Sequence, residues 1–163
     1  TEWWHDPESN TTAVATIQIT YMKEDTKSIS SAYVVDLMCC PASEDYLKLA
    51  QEWIRVILES ETIMVLGFAF GHDLPMLESF VGTKLATRSL LDLQFVLAQD
   101  GASLPGLKAC AARYSLIPLS KEQQCSNWAH RPLSQVQLDY AGLDAAILPV
   151  LLAEYVKQRN EQD

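Results

Sequence analysis

Residues 125–144 read CSNWAHRPLSQVQLDYAGLD. Ser134 and Gln137 stand at capping-box spacing, just after Pro132 and just ahead of a long apolar segment that ends near Tyr155, so a helix is expected to start here. At about 100° per residue, Tyr140 and Asp144 share one face of that helix one turn apart, while Asp139 points roughly 100° away toward solvent. A metal site can use a phenol and a carboxylate so placed. Taken alone, the pair reads as structural, because a tyrosine and an aspartate one turn apart on a helix are commonplace. Further along, Pro149 removes one backbone hydrogen bond and predicts a bend rather than a termination.

Working outward, Ala13–Tyr21 alternates valine, isoleucine and threonine with smaller residues, and Ala32–Met38 is a second β-branched run after a polar stretch over Lys23–Ser31. Two strands joined by a turn fit this pattern. From Ser43 the period changes: Leu47, Ala50, Ile54, Ile57 and Leu58 recur at helical spacing behind a Ser43 or Asp45 cap, with Trp53 expected in the core. Thr62–Phe70 returns to a short apolar strand. Gly71-His72-Asp73-Leu74-Pro75 then reads as a turn into a helix, with Pro75 in its first turn. Ser89–Ala98 and Leu104–Tyr114 are two further helical candidates parted by Asp100-Gly101, and the polar tail Lys157–Asp163 is expected to fray. Strands first, then strands alternating with helices, predict an α/β layer structure with a mixed sheet in one domain. No internal repeat, linker or low-complexity segment interrupts it.

The chain has 163 residues, 48% of them hydrophobic and 20% charged, enough for one packed core. No run of about 18 apolar residues predicts a membrane helix. The opening Thr-Glu-Trp-Trp-His-Asp lacks a signal-peptide profile, and the missing initiator Met suggests a piece of a longer protein. Cys39, Cys40, Cys110 and Cys125 have neither Cys-x-x-Cys nor zinc-ligand spacing, so they read as reduced thiols of an intracellular protein, in cytoplasm or nucleus. A net charge of -9 argues against a domain that grips long stretches of nucleic acid by counterion release. It leaves room for an enzyme that holds only a strand end, because carboxylates gathered around divalent cations repel phosphate only until the metals bind.

Two more acids sit where chemistry is expected. Asp73 lies where a strand gives way to a helix, at the carboxyl end of that strand, where open α/β sheets hold ligands; it also suits a helix N-cap. Glu2 precedes Trp3 and Trp4 near the chain start.

In order and context these residues resemble the motifs of the DEDD 3'-5' exonucleases, a superfamily that includes ribonuclease D, the Werner-type exonuclease domain and Nibbler-like proteins. Thr1-Glu2-Trp3 resembles the second half of the family's first motif, Asp-x-Glu at the end of the first strand. Gly67-Phe68-Ala69-Phe70-Gly71-His72-Asp73-Leu74 resembles the second, and Tyr140-Ala141-Gly142-Leu143-Asp144 the third, Tyr-x-x-x-Asp. Between them, Ser89-Leu90-Leu91-Asp92-Leu93-Gln94, Leu104-Pro105-Gly106-Leu107, and the series from Trp128 through Arg131-Pro132-Leu133 and Gln137 to Tyr140 match as well. The resemblance covers nearly the whole chain. The first aspartate and the strand carrying it would lie upstream of Thr1; Asp6 and Glu8 repeat the Asp-x-Glu spacing, but Pro7 between them makes a poor strand end.

The resemblance implies a ribonuclease H-like mixed β-sheet flanked by helices, and a tyrosine-bearing (DEDDy) exonuclease site. Glu2, Asp73 and Asp144 would be metal ligands, joined by the upstream aspartate, for two divalent cations, Mg or Mn. Hard oxygen donors suit those ions, and two of them supply both a water-derived nucleophile and a sink for charge on the leaving oxygen. Tyr140 would orient the attacking water or help deprotonate it. For substrate contacts, Trp3 would stack on the terminal base or pack in the core, His72 would touch a phosphate or sit on the surface, and Arg131 would pair with a phosphate or with an acid near the site. The expected partner is a single-stranded 3' end, RNA favoured over DNA. The rival expectation is an exonuclease-like module that binds RNA or scaffolds without cutting.

Overall fold

The structure is a computed structural model, and it describes the chain except residues 7, 9, 23–28, 39–42, 115, 117 and 162–163. Three antiparallel strands come first: β1 (Glu2–Asp6), β2 (Thr11–Met22) and β3 (Ile29–Asp36), in the order β1-β2-β3. The register sets Glu2 opposite Thr16, and Thr16 opposite Asp36. Thr16 is fully buried, so this end of the sheet faces the interior. The β-branched runs expected as strands form β2 and β3, each longer than its sequence signal. Their polar connection lies outside the described residues, as does Pro7.

α1 (Glu44–Leu58) starts on the Ser43 cap, whose side chain accepts from the Tyr46 N–H. It turns Ile54 and Leu58 into a core with Val14 and Leu37 of the strand region, and with Leu77 and Val81 of α2 (Phe70–Val81). Trp53 is 60% exposed, against expectation. It lies off the face that the helix buries through Ile54 and Leu58, with Leu47, Ala50 and Ile57 half-buried beside them.

The apolar run over 62–70 yields a shorter strand than its length predicts, β4 (Val65–Gly67), parallel to β5 (Leu90–Asp92). Ala69, with φ 54°, turns the chain sharply, and the Asp92 carboxylate accepts from the Ala69 and Phe70 N–H groups. These bonds cap α2 from another part of the chain and start it at Phe70. Pro75 therefore sits in the second turn rather than the first, and Asp73 lies inside the first turn rather than at the N-cap. The helix expected over Ser89–Ala98 is also revised. Its first part is β5, completed by pairing with β4, and only α3 (Leu93–Val96) is helical. Short apolar runs do not distinguish strand from helix until a partner strand is present.

α4 (Leu107–Arg113) follows Gly106. α5 (Gln135–Asn160) opens on the Ser134–Gln137 capping box with both arms formed, runs on past the buried Pro149, and keeps Lys157–Asn160 of the expected frayed tail helical. By length and composition α5 is apolar enough to cross a membrane. About a third of that apolar stretch is buried within the fold. Ile147 and Leu151 join Leu93, Leu97 and Cys110 in a second core, and Ala141 joins Ala15 and Trp128 in a third. Cys110 and Cys125 are free thiols, and burial raises the pKa of Cys110.

Candidate active site

Between the antiparallel sheet and β4 the molecule opens into a cleft of about 1600 Å³, and Glu2, Asp73, Tyr140 and Asp144 all line it, with Trp3 and His72 at their sides. They arrive by three routes. Glu2 is carried on β1 across from Thr16. Asp73 is presented by the first turn of α2, where Thr1 Oγ1 donates to its Oδ1 at 2.5 Å. Trp3 Nε1 donates in turn to Thr1 Oγ1 at 3.0 Å, so the chain start is tied to α2 through a serial hydrogen bond. Asp144 and Tyr140 come from α5, and the phenol hydrogen-bonds to the carboxylate one turn on.

The Tyr140 ring leans on the buried Trp128 indole, with centroids 6.2 Å apart and planes at 44°. Trp128 is held in place from several sides. Its Nε1 donates to Gln123 O, Gln137 Nε2 donates to Ser126 Oγ and to Asn127 O, and Arg131 donates to Trp128 O. Arg131 also forms an ion pair with Asp36 at the end of β3. Of its two expected roles the structure shows the pairing with an acid: the guanidinium is spent on Asp36 and on carbonyls, and it does not line the cleft. Trp3, 38% exposed, faces the cleft rather than the core, and His72 is an exposed residue of the cleft rim.

Electrostatics tie the acids together. Glu2 is pushed up to about 7, first by burial and then by the negative charges of Asp144 and Asp73. Asp144 is raised by burial, against the opposing hydrogen bond from Tyr140. Burial, Asp144 and Glu2 hold Tyr140 well above the ordinary phenol value. In the metal-free protein it is therefore a neutral hydrogen-bond donor. Among the described residues, no three His, Cys, Asp or Glu side chains already close on a single point at ligating distance. The donor chemistry still suits a hard divalent cation, since the acids are half-buried oxygen donors whose mutual repulsion a cation would relieve.

A pH prediction follows for the metal-free protein. A carboxyl whose folded-state pKa is raised holds a proton that the unfolded chain would release, so its contribution is full below about 4.5 and is lost as pH climbs to about 7. Thermal unfolding in EDTA should show a midpoint that falls between pH 5 and pH 8, by an amount equivalent to about 1–3 kcal/mol. Glu2→Gln should flatten that slope. An unchanged slope would separate Glu2 from the other acids.

Sequence reading did not anticipate the Thr1–Asp73 bond or the Asp92 cap of α2. Nothing local signals either one, because both join segments far apart in the chain.

Comparison with known proteins adds the following. A family model described as 3'-5' exonuclease matches residues 3–157. The chain is 31% identical over 102 residues to exonuclease 3'-5' domain-containing protein 2 of Drosophila melanogaster, covering 61% of this chain and 17% of that protein. It is 32% identical over 104 residues to ribonuclease D of Zymomonas mobilis, covering 61% of this chain and 26% of that protein. The match thus spans about a quarter or less of these relatives. The Nibbler EXO domain of Aedes aegypti superposes with a TM-score of 0.74 at 21% identity, over 99% of this chain and 78% of that one, a likeness of fold.

Proposed function

Because the chain belongs to the 3'-5' exonuclease family of the DEDD superfamily, with its ribonuclease H-like fold, we propose that the protein removes nucleotides from the 3' end of single-stranded nucleic acid, RNA in preference to DNA, with two divalent cations, Mg or Mn. The observation that carries this reading is the meeting of Glu2, Asp73, Asp144 and Tyr140 in one cleft. The relation to ribonuclease D supports RNA.

In this proposal Glu2, Asp73 and Asp144 hold the cations, and the site is of the tyrosine-bearing type. The bound cations would supply an activated water and neutralise charge on the leaving oxygen. Tyr140, held protonated against Asp144 and braced by Trp128, orients the attacking water by donating or accepting a hydrogen bond. Trp3 offers an aromatic face to the terminal base, a contact that contributes roughly 1 to 3 kcal/mol and tolerates any sequence. His72 stands at the rim within the same cleft and would meet a phosphate there. The fourth carboxylate of the family pattern would belong to a strand upstream of Thr1 within the same domain. The placement of β4 supports this. Among the described residues β5 is its one strand partner, which leaves the other edge of β4 open to a further strand.

The test is a time course of the full-length protein on 5'-labelled RNA and DNA with Mg, Mn or EDTA. The expected result is a ladder that shortens from the 3' end, with either metal and not with EDTA, and faster on RNA. Tight binding without shortening would overturn the proposal and leave an RNA-binding module.

A further inference from the structure

Among the described residues, every lysine and arginine but two is held by a carboxylate, a backbone carbonyl or a tyrosine hydroxyl near it. The two exceptions are Lys108 and Lys121. Both are exposed, and both line the cleft that holds Glu2, Asp73 and Asp144. Lys108 is the second residue of α4, and Lys121 lies in the segment between α4 and α5. Gln94 and Gln124 also line the cleft, and Trp53 and Ile57 of α1 add apolar lining to it.

On a chain of net charge -9 this placement has a physical consequence. A strand whose 3' end sits among carboxylates has to leave the cleft along some path. Phosphates are repelled by most of this surface and attracted where unpaired ammonium groups stand. We infer that Lys108 and Lys121 form a phosphate track, which holds the backbone of the nucleotides on the 5' side of the scissile bond in a single-stranded polynucleotide. The track rests on the exonuclease reading above and deepens it. Two point charges fit a chain gripped over a few nucleotides, and they meet phosphate rather than base edges, so they carry no base preference.

Equilibrium binding tests the track without turnover. Full-length protein carrying Asp144→Asn is titrated into a 5'-fluorescein dinucleotide and an eight-nucleotide single strand, with and without Lys108→Ala and Lys121→Ala together. The wild-type lysines should favour the longer strand, and the double substitution should cut the ratio of the two affinities about tenfold. The slope of log affinity for the eight-mer against log salt should become shallower by about 1.4, at roughly 0.7 for each phosphate that is no longer neutralised. Lys108→Arg with Lys121→Arg should restore both. An unchanged ratio and slope would overturn the track, as would an equal loss for both lengths, which would place the lysines elsewhere or expose a folding defect. The two readings fail separately. A metal-dependent ladder with an unchanged ratio removes the track alone, while lysine-dependent binding by a protein that yields no ladder removes the exonuclease reading alone.

Discussion

Asp144→Ala is expected to lower metal-dependent 3'-end shortening by about a thousandfold or more, the equivalent of about 4 kcal/mol of lost transition-state stabilisation. The effect is large because Asp144 has two tasks in the proposed site. It offers a hard oxygen to a cation, and it accepts the Tyr140 hydrogen bond that aims the phenol. Losing the carboxylate removes a ligand and frees the orienting hydroxyl together. The same change is expected to leave the metal-free protein as stable as before or more so. Alanine is the best helix former, and Glu2 would be relieved of a neighbouring negative charge. Rate and unfolding midpoint measured side by side therefore separate a lost ligand from a lost fold. A ladder that survives the substitution would defeat the site assignment.

Trp128→Ala is expected to cost about 3–5 kcal/mol of stability, the usual range for emptying a large aromatic from a core. Its indole is only 2% exposed, among the largest fully buried side chains of the molecule, and packs with Ala15 and Ala141, whose small side chains cannot collapse into the space left behind. At roughly 2–4 °C per kcal/mol for a chain of this size, the unfolding midpoint should drop by about 6–20 °C. Urea titration checks the same quantity at one temperature. Trp53→Ala is the internal contrast, because that indole stands 60% exposed and its loss should stay within about 0.5 kcal/mol. A Trp128 variant no weaker than the Trp53 variant would contradict the packing described above. Where the Trp128 variant remains folded, shortening should still slow, since Tyr140 has lost the ring that braces it.

Elements whose limits are written within one or two turns were readable from the chain alone. Ser43 and Ser134 cap α1 and α5 as their spacing predicts, and the β-branched runs become β2 and β3. Where a distant partner completes the element, reading failed in a consistent direction. β5 looked helical without β4 beside it, and α2 looked to start later without the Asp92 carboxylate that starts it at Phe70. The candidate site divides along the same line. Tyr140 and Asp144 meet because both lie on one helix face, which the 3.6-residue period dictates. That Glu2 and Asp73 belong with them was legible only through resemblance in motif order.

By itself the sequence determined the helix caps, the strand runs, the shared face of Tyr140 and Asp144, and a family likeness spread over nearly the whole chain. Only the tertiary structure decided that Glu2 and Asp73 line the same cleft, that Arg131 spends its charge on Asp36, and that Lys108 and Lys121 keep theirs free of a partner among the described residues. Periodicity and capping act over a few residues of backbone. What a charge meets depends on whatever surface packs against it, and that is not settled until distant segments have folded together.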